Sequence, residues 1–251
     1  AGTYIGKHKT PLANTFRVIH FDFSGIDADL FTEGFVANVR DGLLDFSIRN
    51  AFPKGSEILE KRYLSPTLLL TDFLFVYKQH FKEPIYLIID EYDQGANEVL
   101  ATSLESFQGL TRSGGVLKTF YTNLKDLATN GPIARIFITG VTTIQLDSMT
   151  SGFSIAKNLT TDIRFATMFG FTEAELRNLI PQIIDLKKFG KTLDDVFSRM
   201  KAWYNGYSFN SDTRETVFNA SMCLNYLSSV AETGKEPDDM LDPSVANSLD
   251  K

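Results

Sequence analysis

A chain of 251 residues, 43% of them hydrophobic and 22% charged, has room for one large domain or a core with an appendage and falls in the ordinary globular class. Its net charge of -6 disfavours a general electrostatic grip on nucleic acid, so no nucleic-acid partner is indicated. One cysteine, Cys223, excludes an internal disulfide framework and fits a reducing, cytoplasmic compartment; the scattered His8, His20 and His80 lack metal-ligand spacing; and no apolar run is long enough for a membrane span.

Residues 1–16, with Gly2, Gly6, Pro11 and Asn14, read as loop. Gly6-Lys7 imitates a phosphate-binding loop, but Gly2 stands one residue too near and His8 occupies the place of the Ser or Thr that binds Mg²⁺. Arg17 to Phe23 alternates apolar and polar residues, which predicts a strand near a sheet edge. Asp22 at its end reads as a turn acid, with a place behind a metal ligand as the alternative. From Asp27, a suitable N-cap, to about Phe52 the apolar residues recur at helical spacing, and Pro53-Lys54-Gly55 ends that segment. Ser65 as N-cap and Pro66 at the first helical position open a second helix that runs to Phe81.

After Pro84, the residues Ile85, Tyr86, Leu87, Ile88 and Ile89 run without a polar interruption. That is short for a helix, rich in β-branched residues and apolar on both faces, which predicts a strand buried inside a parallel sheet. It closes in Asp90, Glu91 and Asp93. Unpaired buried carboxylates are costly, so these acids belong in a crevice at the carboxyl end of the strand. An apolar strand ending in Asp-Glu is the Walker B arrangement of phosphate-loop ATPases. There the Asp holds Mg²⁺, usually through water, and the Glu orients the attacking water. A strand followed by a plain acidic turn is the alternative.

Asn97–Gln108 and Val116–Thr129 read as helices, and Asn130-Gly131-Pro132 as a turn. Ala134 to Thr139 reads as another buried strand, before the flexible Gly140. A polar strand end beside the Asp-Glu strand is where ASCE-type ATPases keep sensor 1; a Thr that merely satisfies a strand terminus is the alternative. Residues 141–161, rich in Thr and Ser, read as a long loop, and 162–169 as a last core strand. Thr172-Glu173-Ala174-Glu175 is a capping box, and helices follow over 173–185, 193–202 and 217–231. The division falls near 170, between an α/β core (1–170) and a helical appendage (171–251). Gly190-Lys191-Thr192 imitates a phosphate loop again, but Asp185 stands where its first Gly belongs and a helix precedes it, so it reads as a helix-to-helix turn.

As an ordered set, Phe21–Gly25, Leu87–Asp93, Phe137–Thr142, Thr150–Lys157, Phe165–Met168, Gly170–Glu173, Trp203–Tyr207 and Met240–Pro243 resemble the AAA-ATPase-like family, phosphate-loop ATPases often fused to a PD-(D/E)XK nuclease-like domain. The resemblance implies an α/β phosphate-loop NTPase core of ASCE/AAA type, three layers around a parallel sheet, followed by a helical lid. It implies Asp90 as the Mg²⁺ ligand, Glu91 as the catalytic carboxylate and Thr139 as the sensor, with ATP and Mg²⁺ bound. Trp203–Tyr207 falls in the lid, where aromatic packing is the expected role.

The family's phosphate loop lies ahead of the segment that begins here, on a strand placed between those at 134–139 and 162–169. Gln94-Gly95 also stands where many relatives have a Pro. On this reading the first strand and phosphate loop are missing, and with them the backbone N–H cradle and Lys that hold phosphates. Neighbouring strand edges are left unpaired. The expectation is a Mg²⁺-dependent ATPase in the full-length parent, inactive in these residues alone. The alternatives are a non-catalytic interaction scaffold for a protein partner or oligomer and, more weakly, a metal nuclease using Asp22, Asp90 and Asp93. Against the nuclease stand the net charge and the lack of an acid-x-Lys signature.

Overall fold

The computed structural model describes residues 4–141 and 157–241. They fall into two compact units, 1–156 and 157–251. The first opens with one helical turn, α1 (Tyr4–Lys7), inside the stretch expected to be loop, so Gly6-Lys7 lies in a helix. Strands β1 (Arg17–Asp22), β2 (Ile85–Asp90) and β3 (Ile133–Ile138) then form a parallel sheet in the order β1-β2-β3.

Between β1 and β2 lie α2 (Phe31–Arg49), α3 (Pro53–Leu59) and α4 (Pro66–His80). Between β2 and β3 lie α5 (Gln94–Thr102), α6 (Leu104–Thr111) and α7 (Val116–Thr129). The predicted α4 and α7 are present as read, and Ser65 Oγ accepts the Leu68 N–H at 3.4 Å as its cap. Three helical boundaries differ from expectation. Asp27 does not cap α2; its carboxylate accepts the Asp29 N–H at 2.8 Å, a local turn that postpones the helix to Phe31. Pro53 begins α3 rather than ending a segment, because a missing N–H costs nothing in a first turn. The helix expected over 97–108 is two, broken at Ser103, whose backbone is extended and whose Oγ accepts the Ser106 N–H at 3.2 Å to cap α6.

Crossovers that step the same way across a parallel sheet put their helices on one face. Ile19, Phe21, Ile85, Leu87, Ile89 and Ile133 point into a core shared with the helices. Their alternates Val18, His20, Tyr86 and Ile88 are exposed or half-exposed. The strand predicted to be apolar and buried on both faces is therefore buried on one. Among the described residues the unit has two of the three expected layers. Gly42 lets α2 lie close to β1: a Cβ there would sit 2.4 Å from the His20 carbonyl oxygen and 2.6 Å from the Phe21 ring. An aromatic knot locks the two layers, with Phe35 ring centroids 4.6 Å from Phe23 and 4.9 Å from Phe120.

In the second unit the strand expected over 162–169 is instead a 3₁₀ turn, Ile163–Phe165. Asp162 caps it, accepting the Arg164 N–H at 3.1 Å and the guanidinium at 2.9 and 2.6 Å. Ile163, Met168 and Phe169 are exposed, so the apolar residues of this stretch do not share one buried face as a core strand would require. Helix α8 (Glu173–Ile183) opens on the predicted Thr172–Glu175 capping box. Helices α9 (Leu186–Phe189) and α10 (Leu193–Tyr204) follow, joined through Gly190 in the left-handed region and a second capping box of Thr192 and Asp195. The second Gly-Lys-Thr is thus a helix-to-helix turn. Residues Asn205–Tyr207 (β4) and Val217–Phe218 (β5) pair antiparallel, so the helix expected from 217 starts only at α11 (Ala220–Thr233), capped by Asn219.

Glu236 ties this unit together. It receives the Lys191 ammonium, the Arg199 Nε at 3.3 Å and the Tyr226 hydroxyl at 3.1 Å. The Lys191 hydrogen bond, with help from Tyr226 and the charges of Lys191 and Arg199, holds the Glu236 carboxyl below the usual carboxylate range. A lowered folded-state pKa contributes stability above the unfolded value and loses it as pH falls through the folded one. Glu236→Gln is expected to lower the melting temperature at pH 7 by about 2–4 °C. The two proteins should converge below about pH 4, which melts across a pH series will read.

Candidate functional site

The strands of the parallel sheet deliver polar groups to one rim. Asp22 and Asp90 are register partners at the ends of β1 and β2, on the face away from the helices. Ile138 pairs with Ile89, so the next residue, Thr139, arrives beside Asp90. The ladder continues past the strands: Thr139 N–H donates to Ile89 O at 2.9 Å, Tyr92 N–H to Thr139 O at 3.1 Å, and Phe23 N–H to Asp90 O at 3.1 Å. These bonds fix the backbone under each acid before any side chain is considered.

Asp90 Oδ1 accepts the Thr139 hydroxyl and, at 3.1 Å, the Glu91 N–H. No hydrogen bond from the described residues reaches Oδ2. Asp22 Oδ1 accepts the Ser24 N–H at 2.9 Å, and that N–H, followed by the Ser24 hydroxyl, holds the Asp22 carboxyl below its usual range. Asn38 Nδ2 donates to the Asp22 and Ser24 carbonyls at 2.9 and 3.3 Å, pinning this turn to α2.

Glu91 has φ of 52°, a left-handed backbone in a non-glycine residue, a strained state that persists where the surroundings over-determine it. Its side chain is half-buried and takes no hydrogen bond from the described residues. Burial first, then the charges of Asp90, Asp93 and Asp22, push its carboxyl above the usual range. A carboxylate with raised proton affinity at a strand rim is equipped for general-base chemistry.

Asp93 does not join the rim. It is fully buried; Oδ1 accepts the Val141 N–H at 3.1 Å and Oδ2 the Asn97 Nδ2 at 3.1 Å. Among the described residues no three His, Cys, Asp or Glu side chains converge on a metal position. The cluster of Asp22, Asp90 and Asp93 weighed for a nuclease therefore does not form, because Asp93 spends both oxygens on protein donors. Sequence reading grouped the three acids by proximity and missed this. No local signal separated them, because the Val141 N–H that donates to Asp93 Oδ1 lies 48 residues away.

A family model described as predicted AAA-ATPase matches residues 1–150. The chain belongs to that AAA-ATPase-like family. The match takes in Phe21–Gly25, Leu87–Asp93 and Phe137–Thr142, the stretches that carry the rim. No curated protein matches the chain, and no solved structure does.

Membership in an AAA-ATPase-like family suggests nucleotide and Mg²⁺, and the rim's chemistry suits the cation. Its side chains offer only oxygen donors, which is what a hard cation takes. One carboxylate with an open oxygen matches Mg²⁺, which keeps most of its waters and uses one or two carboxylates plus substrate phosphates. No helix among the described residues is long and apolar enough to cross a membrane.

Proposed function

We propose that this rim is the acidic half of an ATPase centre, with Asp90 and Glu91 as its Walker B pair and Thr139 as its sensor. One observation carries the reading: Asp90 is held on one oxygen by Thr139 while its other oxygen stays open, next to a glutamate with raised proton affinity. Asp90 would hold Mg²⁺ through Oδ2, directly or through water. Held there, the ion would supply positive charge to offset that of the phosphates. Thr139 fixes the Asp90 rotamer and lies where a terminal phosphate would be sensed. Glu91 accepts a proton from the attacking water, a role its raised proton affinity favours.

Nowhere in the 251 residues does Gly-x-x-x-x-Gly-Lys occur. On this reading the 251 residues by themselves should not turn over ATP. We place the protein in the cytoplasm on the strength of its single, buried, unpaired cysteine. The missing loop also motivates the second reading, a scaffold that kept the fold and binds a protein partner.

Melting with and without MgATP separates the two. A chain extended to include a phosphate loop should gain several degrees at saturating MgATP, as a ligand of the folded state must give. The 251 residues alone should gain none. No gain in the extended chain, together with stabilisation by a protein partner, would select the scaffold.

A further inference from the structure

We infer that Asp93 is a positioning residue: it latches the chain leaving β3 onto the turn after β2, and so sets where Thr139 meets Asp90. The catalytic meaning of this rests on the function proposed above; the latch itself does not.

Two ties join these turns. The Tyr92 N–H donates to Thr139 O at 3.1 Å, and Asp93 Oδ1 accepts the Val141 N–H at 3.1 Å. Only Gly140 lies between the two anchored residues. The approach there is close enough that a Cβ on Gly140 would stand 2.3 Å from Asp93 Oδ1 and 2.4 Å from the Tyr92 ring. Both neighbours are buried, Asp93 completely and Tyr92 at 5% exposure, so neither has room to withdraw. Glycine at 140 is therefore the condition for the latch to close.

Two contacts with Asn97 hold the carboxylate to this task. Asn97 Nδ2 donates to Oδ2 at 3.1 Å, and the Asn97 N–H donates to the Asp93 carbonyl at 2.8 Å, anchoring the residue to the first turn of α5. Asp93 occupies the N-cap position of that helix, yet its side chain makes no cap hydrogen bond there. An N-cap acid ordinarily turns its oxygen back onto its own helix. This one reaches across to the neighbouring strand's exit instead. Thr139 stands two residues before Val141, so the latch holds the far end of the short span whose near end the backbone ladder already ties. A buried carboxylate without its donors would be strongly disfavoured, which makes the tie hard to open once the sheet has formed.

The test reads the latch without nucleotide. In the 251-residue chain, Asp93→Ala should speed amide hydrogen exchange at Val141 by about tenfold or more, while Leu87 and Ile88 in β2 keep their rates. Asp93→Asn, which keeps one acceptor for two donors, should give a smaller but clear acceleration, and it serves alone if the alanine variant fails to fold. Gly140→Ala should mimic Asp93→Ala by a different route.

In an extended chain that hydrolyses ATP, Asp93→Asn should lower kcat by about tenfold with KM for MgATP within about twofold, the split expected of misplaced rather than missing chemistry. Unchanged Val141 exchange in both Asp93 variants overturns the latch. Faster exchange with an unaltered kcat overturns its link to Thr139. If the unsubstituted extended chain has no turnover, the ATPase reading fails, and the exchange rates still decide whether the latch exists.

Discussion

Glu91→Gln, in a chain that carries a phosphate loop, is expected to lower ATP turnover by about 10²–10⁴-fold, the range for loss of a positioned general base. MgATP affinity should change little, because the amide keeps the shape and, on the proposed reading, Glu91 acts on the attacking water rather than on the phosphates. Asp90→Asn should behave differently. It replaces the open Oδ2 or the Thr139-bound Oδ1 with an amide, so the Mg²⁺ dependence of binding and turnover should both weaken.

Glu91→Gln also has a readout in stability. Burial and three neighbouring acids raise the Glu91 proton affinity in the folded protein. A raised pKa means that the ionised form opposes folding, so its contribution is favourable in acid and lost as pH rises through the folded value. Removing the charge at pH 7 should therefore raise the melting temperature by about 1–3 °C, a gain that fades toward pH 4. Phosphate-release kinetics and melts on the same preparations check both. Full hydrolysis in both variants would remove Asp90 and Glu91 from the chemistry.

The rim was legible in the sequence because it depends on local patterns. An unbroken apolar run closing in Asp90-Glu91 reads as a strand that surfaces at its end, and Ile133–Ile138 is likewise a strand leading to Thr139, though Ile133 alone of its residues is buried where a buried strand was expected. Helices α4 and α7 were legible for the same reason: Ser65-Pro66 and Asn130-Gly131-Pro132 mark their ends with backbone chemistry that needs no tertiary information. What escaped depends on contacts distant in sequence. Tyr86 and Ile88 look as apolar as their neighbours, and only the side on which both crossovers pass decides that their face stays open. Residues 162–169 are apolar enough for a strand, but the Asp162 carboxylate accepts the Arg164 N–H and guanidinium and folds them into a capped turn. Asp93 looks like a third rim acid; its partner, the Val141 N–H, lies 48 residues away.

Phe35→Ala should be the most damaging single change to the first unit. The side chain is 1% exposed and touches Phe23, Phe31 and Phe120 at centroid distances of 4.6, 5.8 and 4.9 Å. Truncating a buried phenylalanine loses its transfer free energy and leaves a cavity, together about 3–5 kcal/mol, which corresponds to a fall in melting temperature of roughly 10 °C for a chain of this size. The effect should reach the rim as well. Phe23 follows Asp22 directly and donates its N–H to the Asp90 carbonyl, so a Phe23 ring that slumps into the cavity pulls on the backbone linking the two acid-bearing strands. Phe35→Leu keeps most of the volume and should cost about 1–2 kcal/mol. Denaturant melts of the two variants, with hydrogen exchange at the Phe23 amide, separate the terms. A fall in stability with unchanged Phe23 exchange would mean that the knot holds the layers together without steadying the rim.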